Sequence, residues 1–244
     1  MTTSDGTPRR LYLMQLERTT IPLGGSAYGM VVSYLIQTTD GKNILVDSGV
    51  PEDYQPPQGA PRHTHERGVI VQLGELGLRP DDVDILVCTH FDTDHAGHHD
   101  AFTHAEFVVQ RAHYDLARGG NPRFAAARAH WDSPALRYRL IDGDTELLPS
   151  LTLIETSGHT TGHQSVLVRL PQTGPVLLAI DAVALRRQFT PERKAWPLDE
   201  DEEQLRASTR KLLDLVAREH VALVVFGHDG DQWQTLKQAP DYYE

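Results

Sequence analysis

The stretch "CTHFDTDHAGHHDAF", residues 88–102, leaves an apolar run and sets four ionisable side chains into six consecutive positions: His90, Asp92, Asp94 and His95. Carboxylates held this close repel one another unless a cation lies among them. Imidazoles and carboxylates on one tight loop are the donors that transition metals take. The spacing H-x-D-x-D-H therefore reads as a metal-binding loop.

Outward from this loop, strand-like and helix-like stretches alternate along the chain. "LYLMQL" (11–16), "MVVSYLIQT" (30–38) and "NILVDSG" (43–49) have the β-branched, aromatic and alternating character of strands. "HERGVIVQLGELGL" (65–78) has Val69, Leu73 and Leu76 near helical spacing and stops at Gly and Pro. "VDILVC" (83–88) is a buried strand that feeds the histidine loop, and "AEFVVQ", "RYRLID", "LTLIETS", "SVLVRL", "PVLLAID" and "VALVVF" follow as further strands. A long helix is expected over residues 199–220, its acidic start and basic later turns complementing the helix dipole.

Polar residues fall at strand ends. Asp47, the 90–95 loop, His159, Asp181 and His228 each stand at the carboxyl end of an apolar strand. Ligand sites of open α/β sheets gather at such ends, so these residues are expected to converge. His90, His95, His159, His228, Asp92, Asp94 and Asp181 make seven donors. One metal that keeps an open position needs about three or four protein ligands, so seven suit two metals sharing a bridging group. The remaining histidines considered (His63, His65, His98, His99, His104, His113 and His130) are expected on the surface. His163 and Asp229, each beside a donor, are candidates to orient an imidazole from behind.

Composition bounds the rest. The chain has 244 residues, 39% hydrophobic and 23% charged, and a formal charge of −11. That balance fits a globular protein and argues against nucleic acid or anionic membrane as a partner. The one cysteine, Cys88, lies in an apolar run and gives neither a disulfide within the chain nor a thiolate zinc site. No apolar run reaches the roughly 18 residues of a membrane span, and "MTTSDGTPRR" lacks the apolar core of a signal peptide. The expectation is one cytoplasmic domain over 1–244, monomer or homodimer, with residues 1–9 as a flexible tail.

The set "DSG" (47–49), "THFDTDHAG" (89–97), "SGHTTGHQS" (157–165), "AIDA" (179–182) and "FGHD" (226–229) resembles the metallo-β-lactamase-fold hydrolases over about residues 10–230. "GHTTGHQS" and "FGHD" are most similar to the N-acyl-homoserine lactonases. The resemblance implies a four-layered αβ/βα sandwich with a dinuclear metal centre at one edge of two facing sheets. By position, His90, Asp92 and His159 would hold the first metal, Asp94, His95 and His228 the second, and Asp181 would bridge them. It also implies opening of a lactone ring; the chemistry of two metals would supply a bridging hydroxide as nucleophile, and Asp94, a ligand with a second oxygen near the leaving group, is the choice to deliver a proton to the departing alkoxide. The alternatives are a thioesterase, phosphoesterase or sulfatase on the same fold, and, from another class, a di-iron redox or metal-binding protein.

Two departures mark this chain. The lactonases carry histidine where Asp92 stands; a carboxylate there resembles the flavodiiron reductases, whose flavodoxin domain this chain is too short to include. Two histidines and a carboxylate suit iron, cobalt or manganese as well as zinc. The added charge is expected to make the first metal a weaker Lewis acid. The lactonases also carry a tyrosine where Ala184 stands, leaving Tyr28, Tyr54 and His163 as candidates to meet a substrate carbonyl. Two long loops (50–68 and 182–200) begin beside the expected metals; Phe189, Trp196 and Tyr54 offer an apolar wall, Arg186 and Arg187 an anion contact.

Overall fold

The computed structural model describes residues 6–20, 28–55, 63–65 and 67–244. In chain order its elements are β1 (Pro8–Thr20), β2 (Tyr28–Thr38), β3 (Asn43–Val46), β4 (His63–His65), α1 (Val69–Glu75), β5 (Ile85–Val87), β6 (Glu106–Gln110), α2 (Arg111–Arg118), α3 (Arg128–Trp131), β7 (Arg137–Ile141), β8 (Thr145–Leu148), β9 (Leu151–Glu155), β10 (Gln164–Leu170), β11 (Gly174–Ile180), α4 (Glu202–Arg218), β12 (Leu223–Phe226) and α5 (Gly230–Trp233). Of the expected tail, residues 1–5 lie outside the described residues, while Pro8 and Arg9 already belong to β1.

Two sheets form, in the orders β4-β1-β2-β3-β5-β6-β7 and β12-β11-β10-β9-β8. Strands β3, β5, β6 and β7 run parallel, as do β11 and β12, so their carboxyl ends point one way within each set. Fully buried apolar strands such as "NILV" and "VLLAI" fit this arrangement, because both faces of these sheets are covered. One core lies between the sheets, with Leu13, Ile44 and Val87 facing Leu153, Val166 and Leu178. A second packs Leu73 of α1, Ala117 of α2 and Trp131 of α3 on the outer face of the larger sheet. A third packs Leu212 and Leu215 of α4 on the smaller. The layers thus run helix, sheet, sheet, helix, the expected sandwich.

Helix α4 begins later than the acidic run suggested. Asp201 is its N-cap and accepts a hydrogen bond from the Gln204 amide at 2.9 Å, so residues 199 and 200 remain in the preceding loop. Among the described residues no helix is long and apolar enough to cross a membrane.

Candidate metal centre

The strand ends meet. Imidazoles of His90 and His159 and the Asp181 carboxylate offer ligand atoms within 4.8 Å of one another, and so do Asp94, His95 and His228. Asp181 stands between the two groups. Its Oδ2 lies 3.3 Å from His159 Nε2 and 3.9 Å from His90 Nε2, while its Oδ1 lies 3.6 Å from His95 Nε2 and 3.0 Å from His228 Nε2. Asp92 joins the first group, its Oδ2 at 3.4 Å from His90 Nε2 and 3.1 Å from His159 Nε2. Asp94 Oδ2 lies 3.6 Å from His95 Nε2 and 3.7 Å from His228 Nε2. All seven expected donors are brought together.

Each imidazole is held from behind through Nδ1, which turns Nε2 inward. Asp47 anchors two of them. His95 Nδ1 meets Asp47 Oδ2 at 2.8 Å, and Thr89 Oγ1 donates to the same oxygen at 2.6 Å. With its proton given to Asp47, Thr89 Oγ1 accepts from His90 Nδ1 at 3.0 Å. His159 Nδ1 is held by Asp199 Oδ1 at 2.9 Å, and His228 Nδ1 donates to the Met30 carbonyl at 2.5 Å. The two strand ends that carry Asp47 and Asp181 bend through left-handed backbone, at Asp47 (φ 60°) and Ile180 (φ 52°). Non-glycine residues there are strained, a cost found at sites where side chains must be aimed.

His163 and Asp229 do not orient imidazoles. His163 Nε2 accepts from the backbone N–H of Asp181 at 3.2 Å, which puts its proton on Nδ1 for Thr156 Oγ1 at 2.8 Å. Thr156 passes on to Ser165 Oγ, and Ser165 donates to the Ala179 carbonyl. This buried chain sets the backbone that carries Asp181. Asp229 caps α5 through the Gln232 amide and accepts from the Arg186 amide.

Two histidines expected on the surface are fully buried, His99 and His113. His113 Nε2 accepts from the Phe91 amide at 2.8 Å, and Nδ1 donates to the Thr161 carbonyl at 2.8 Å, so one ring ties the 90–95 loop to the "HTTGH" loop. His98 is half-buried with Nδ1 on the Ser48 carbonyl, His104 is exposed, and His130 meets Asp100. The side chains of His63, His65 and Tyr28, and residues 56–62 and 66 of the first long loop, lie outside the described residues. In the second loop Phe189 packs on Phe226 beneath α4, and Arg187 lies over the Trp196 ring at 5.8 Å. Tyr54 is half-buried, and burial together with the Asp94 carboxylate raises its pKa. Ala184 is buried and accepts the His228 amide through its carbonyl.

The donor set fits a cation. Among the described residues, His90 Nε2 and His95 Nε2 are buried without a hydrogen-bond partner, although buried polar atoms are rarely left so. Burial holds His90 well below its usual pKa, keeping its Nε2 lone pair free. At His228, burial opposes charge, but Asp181 and Asp94 outweigh it and lift the pKa to about 9. The carboxylates draw positive charge into this cavity, from protons if not from metal.

Residues 27–228 match the Metallo-beta-lactamase superfamily. The chain belongs to that superfamily. With lactonases as its relatives in that superfamily, it is a metal-dependent hydrolase acting on ester bonds. It is 34% identical over 220 residues to an N-acyl homoserine lactonase of a Bacillus species, covering 86% of this chain and 85% of that one. A lactonase of Rhizobium radiobacter is 33% identical over 241 residues, covering 90% and 89%. A Bacillus thuringiensis lactonase variant, solved with N-decanoyl-L-homoserine at its active site, superposes with a TM-score of 0.86 at 29% identity, covering 97% of this chain and all of the other (100%).

Proposed function

We propose that this chain opens the ring of N-acyl homoserine lactones at a centre of two divalent metal ions. His90, Asp92 and His159 would hold one ion and Asp94, His95 and His228 the other, with Asp181 standing between the two groups. The observation that carries this reading is the inward aim of His90 Nε2 and His95 Nε2, buried and without a partner among the described residues, beside Asp181 in a chain similar to lactonases over nearly its whole length. Zinc suits the donor set, and so do iron, cobalt and manganese because of Asp92.

When bound, such ions supply Lewis acidity that makes water a nucleophile near neutral pH and polarises an ester carbonyl. The chain's own groups do the rest. Asp94, with its side chain 29% exposed, is reachable by substrate and takes the proton that the attacking water loses. As the ring C–O bond breaks, Asp94 returns that proton to the departing alkoxide, giving the open N-acyl homoserine. Tyr54, half-buried and close enough to feel Asp94, offers its hydroxyl to the substrate carbonyl in place of the tyrosine absent at Ala184. Every donor stands just beyond a strand's carboxyl end, so the reacting carbonyl would lie at that edge of the sheets.

Incubation of the purified protein with a medium-chain acyl homoserine lactone should add one water to the substrate, read by mass spectrometry. Asp181→Ala should lower the metal content and abolish the reaction. Efficient cleavage of phosphodiesters or thioesters without lactone opening would replace this reading with another hydrolase on the same fold.

A further inference from the structure

Asp92 does not face the first donor group alone. The Arg123 guanidinium straddles its carboxylate, Nε donating to Oδ1 at 2.6 Å and Nη2 donating to Oδ2. Nη2 also lies 2.8 Å from His159 Nε2. Nη1 donates to the carbonyls of His159 at 3.2 Å and Leu198 at 2.7 Å, with Glu200 Oε1 at 3.5 Å. The pair is largely withdrawn from water, the two side chains 19% and 17% exposed. Arg123 is also fixed from below. The Asn121 side chain accepts its amide, and its neighbour Phe124 is fully buried against the His113 ring.

A two-point fork of this kind is the strongest arrangement between guanidinium and carboxylate, and it fixes the direction of both oxygens. It also cancels a charge. Counted by side chains, the first group without Arg123 would hold two carboxylates, Asp92 and Asp181, and two neutral imidazoles. With Arg123 its net charge is that of three histidines and a bridging aspartate. The expectation of a more negative first site, drawn from Asp92 alone, left out a partner 31 residues further along the chain.

We propose that Asp92 and Arg123 act as one unit that stands in for a neutral imidazole: Asp92 Oδ2 is the donor atom, and Arg123 both aims it and offsets its charge. This rests on the reading that the first group binds metal. Arg123 touches no reacting atom in this scheme and is a positioning residue. Because Nη2 reaches His159 Nε2 as well, the guanidinium also opposes the cation that this nitrogen would bind. The two halves of the unit therefore pull the first ion's affinity in opposite directions.

The test is a titration of the full-length chain with zinc or cobalt(II) against a chromophoric chelator, with cobalt absorption reporting the donor set. Arg123→Gln removes the positive charge while leaving an amide to meet the carboxylate, and should tighten the first ion by about tenfold or more, the scale of removing one like charge a few ångströms away. Asp92→His leaves the guanidinium without its partner and should loosen that ion by a similar factor. The double variant Asp92→His/Arg123→Gln should return close to the wild type, the sum of two opposite shifts that restores the net charge of three histidines and a bridging aspartate. Arg123→Lys keeps the charge without the fork and should stay nearer the wild type than Arg123→Gln. If Arg123→Gln loosens the ion, if Arg123→Lys tightens it equally, or if Asp92→His keeps both ions at wild-type affinity, the unit does not exist. A wild-type chain that binds no ion overturns the functional reading itself, whatever the variants do.

Discussion

Replacing His113 by leucine separates two roles that one buried ring combines. The ring accepts from the Phe91 amide and donates to the Thr161 carbonyl, joining the two loops that carry His90 and His159. Leucine can make neither bond. The Phe91 amide is buried, so losing its partner costs about 1–3 kcal/mol, the price of a desolvated donor left unmade. Thr161 is exposed, and water can reach its carbonyl, so that side costs about 0.5–1.5 kcal/mol at most. The variant should be less stable than the wild type by about 1.5–4.5 kcal/mol near pH 7.5.

The same ring gives this difference a pH signature. Burial lowers the His113 pKa from 6.5 to about 4, because the charged form cannot be solvated there. Below pH 6.5 the unfolded chain takes up a proton at this residue that the folded chain does not bind until about pH 4. The unfolded state then binds more protons, so the wild type loses stability as pH falls through this window. At about 1.36 kcal/mol per pH unit, the loss from this residue reaches about 2 kcal/mol at pH 5. Leucine does not titrate. The gap between the two proteins should therefore shrink by about 2 kcal/mol between pH 7.5 and pH 5. Urea unfolding at both pH values, followed by fluorescence and far-UV dichroism, measures it. A gap that stays constant or widens at pH 5 would refute the assignment of a neutral, doubly bonded His113.

Asp199→Asn removes the carboxylate behind His159 Nδ1 and should weaken the first ion about 10- to 100-fold in a chelator titration, with the second ion unchanged; equal affinity would mean that Asp199 does not set the ring. Gly158 has φ +135°, and a Cβ there would lie 2.2 Å from Leu205 N and 2.3 Å from Leu205 Cα in α4. Gly158→Ala should accordingly cost more than about 2 kcal/mol and lower the melting temperature, and an unchanged melt would contradict the close approach of loop and helix. Tyr54→Phe should reduce kcat by about a hundredfold at unchanged metal content, the scale of losing one donor to a developing oxyanion. Full activity in that variant would move the carbonyl contact elsewhere.

The parts of the fold that were legible in the sequence are those whose physics is local. Strands buried on both faces, such as β3 and β11, show as continuous apolar runs, and an ionisable residue at the end of such a run has few structural reasons to be there. That is why seven donors from four strand ends, with Asp47 at a fifth, emerged together. Short amphipathic helix α2, "RAHYDLAR", and strand β8, "TELL", carry too few apolar residues to stand out. Histidine is ambiguous in the same way: His99 and His113 are fully buried, while His104 in the same region is exposed, and the sequence around each is equally polar.

The groups behind the donors were hidden for a different reason: the contacts that define them join distant parts of the chain. Asp199 sits in the acidic run "DEDEE", where it reads as part of the start of α4, yet its carboxylate reaches His159 across 40 residues and its other oxygen takes the Trp196 amide at 2.6 Å and Arg193 at 3.3 Å. Arg123 lies in "GNPRF", a turn with no metal-binding pattern, and only the folded chain places it on Asp92. Donor residues must share one centre and so leave a spacing within a loop; their supports need only reach a ligand from outside and are free to come from any element nearby. An unusual residue in the motif is thus a pointer outward. Asp92, read alone, implied a more negative metal site. Read with Arg123, it implies the net charge of three histidines and a bridging aspartate, reached by two residues instead of one, and the place to look for such compensation is the shell of side chains that the loop packs against.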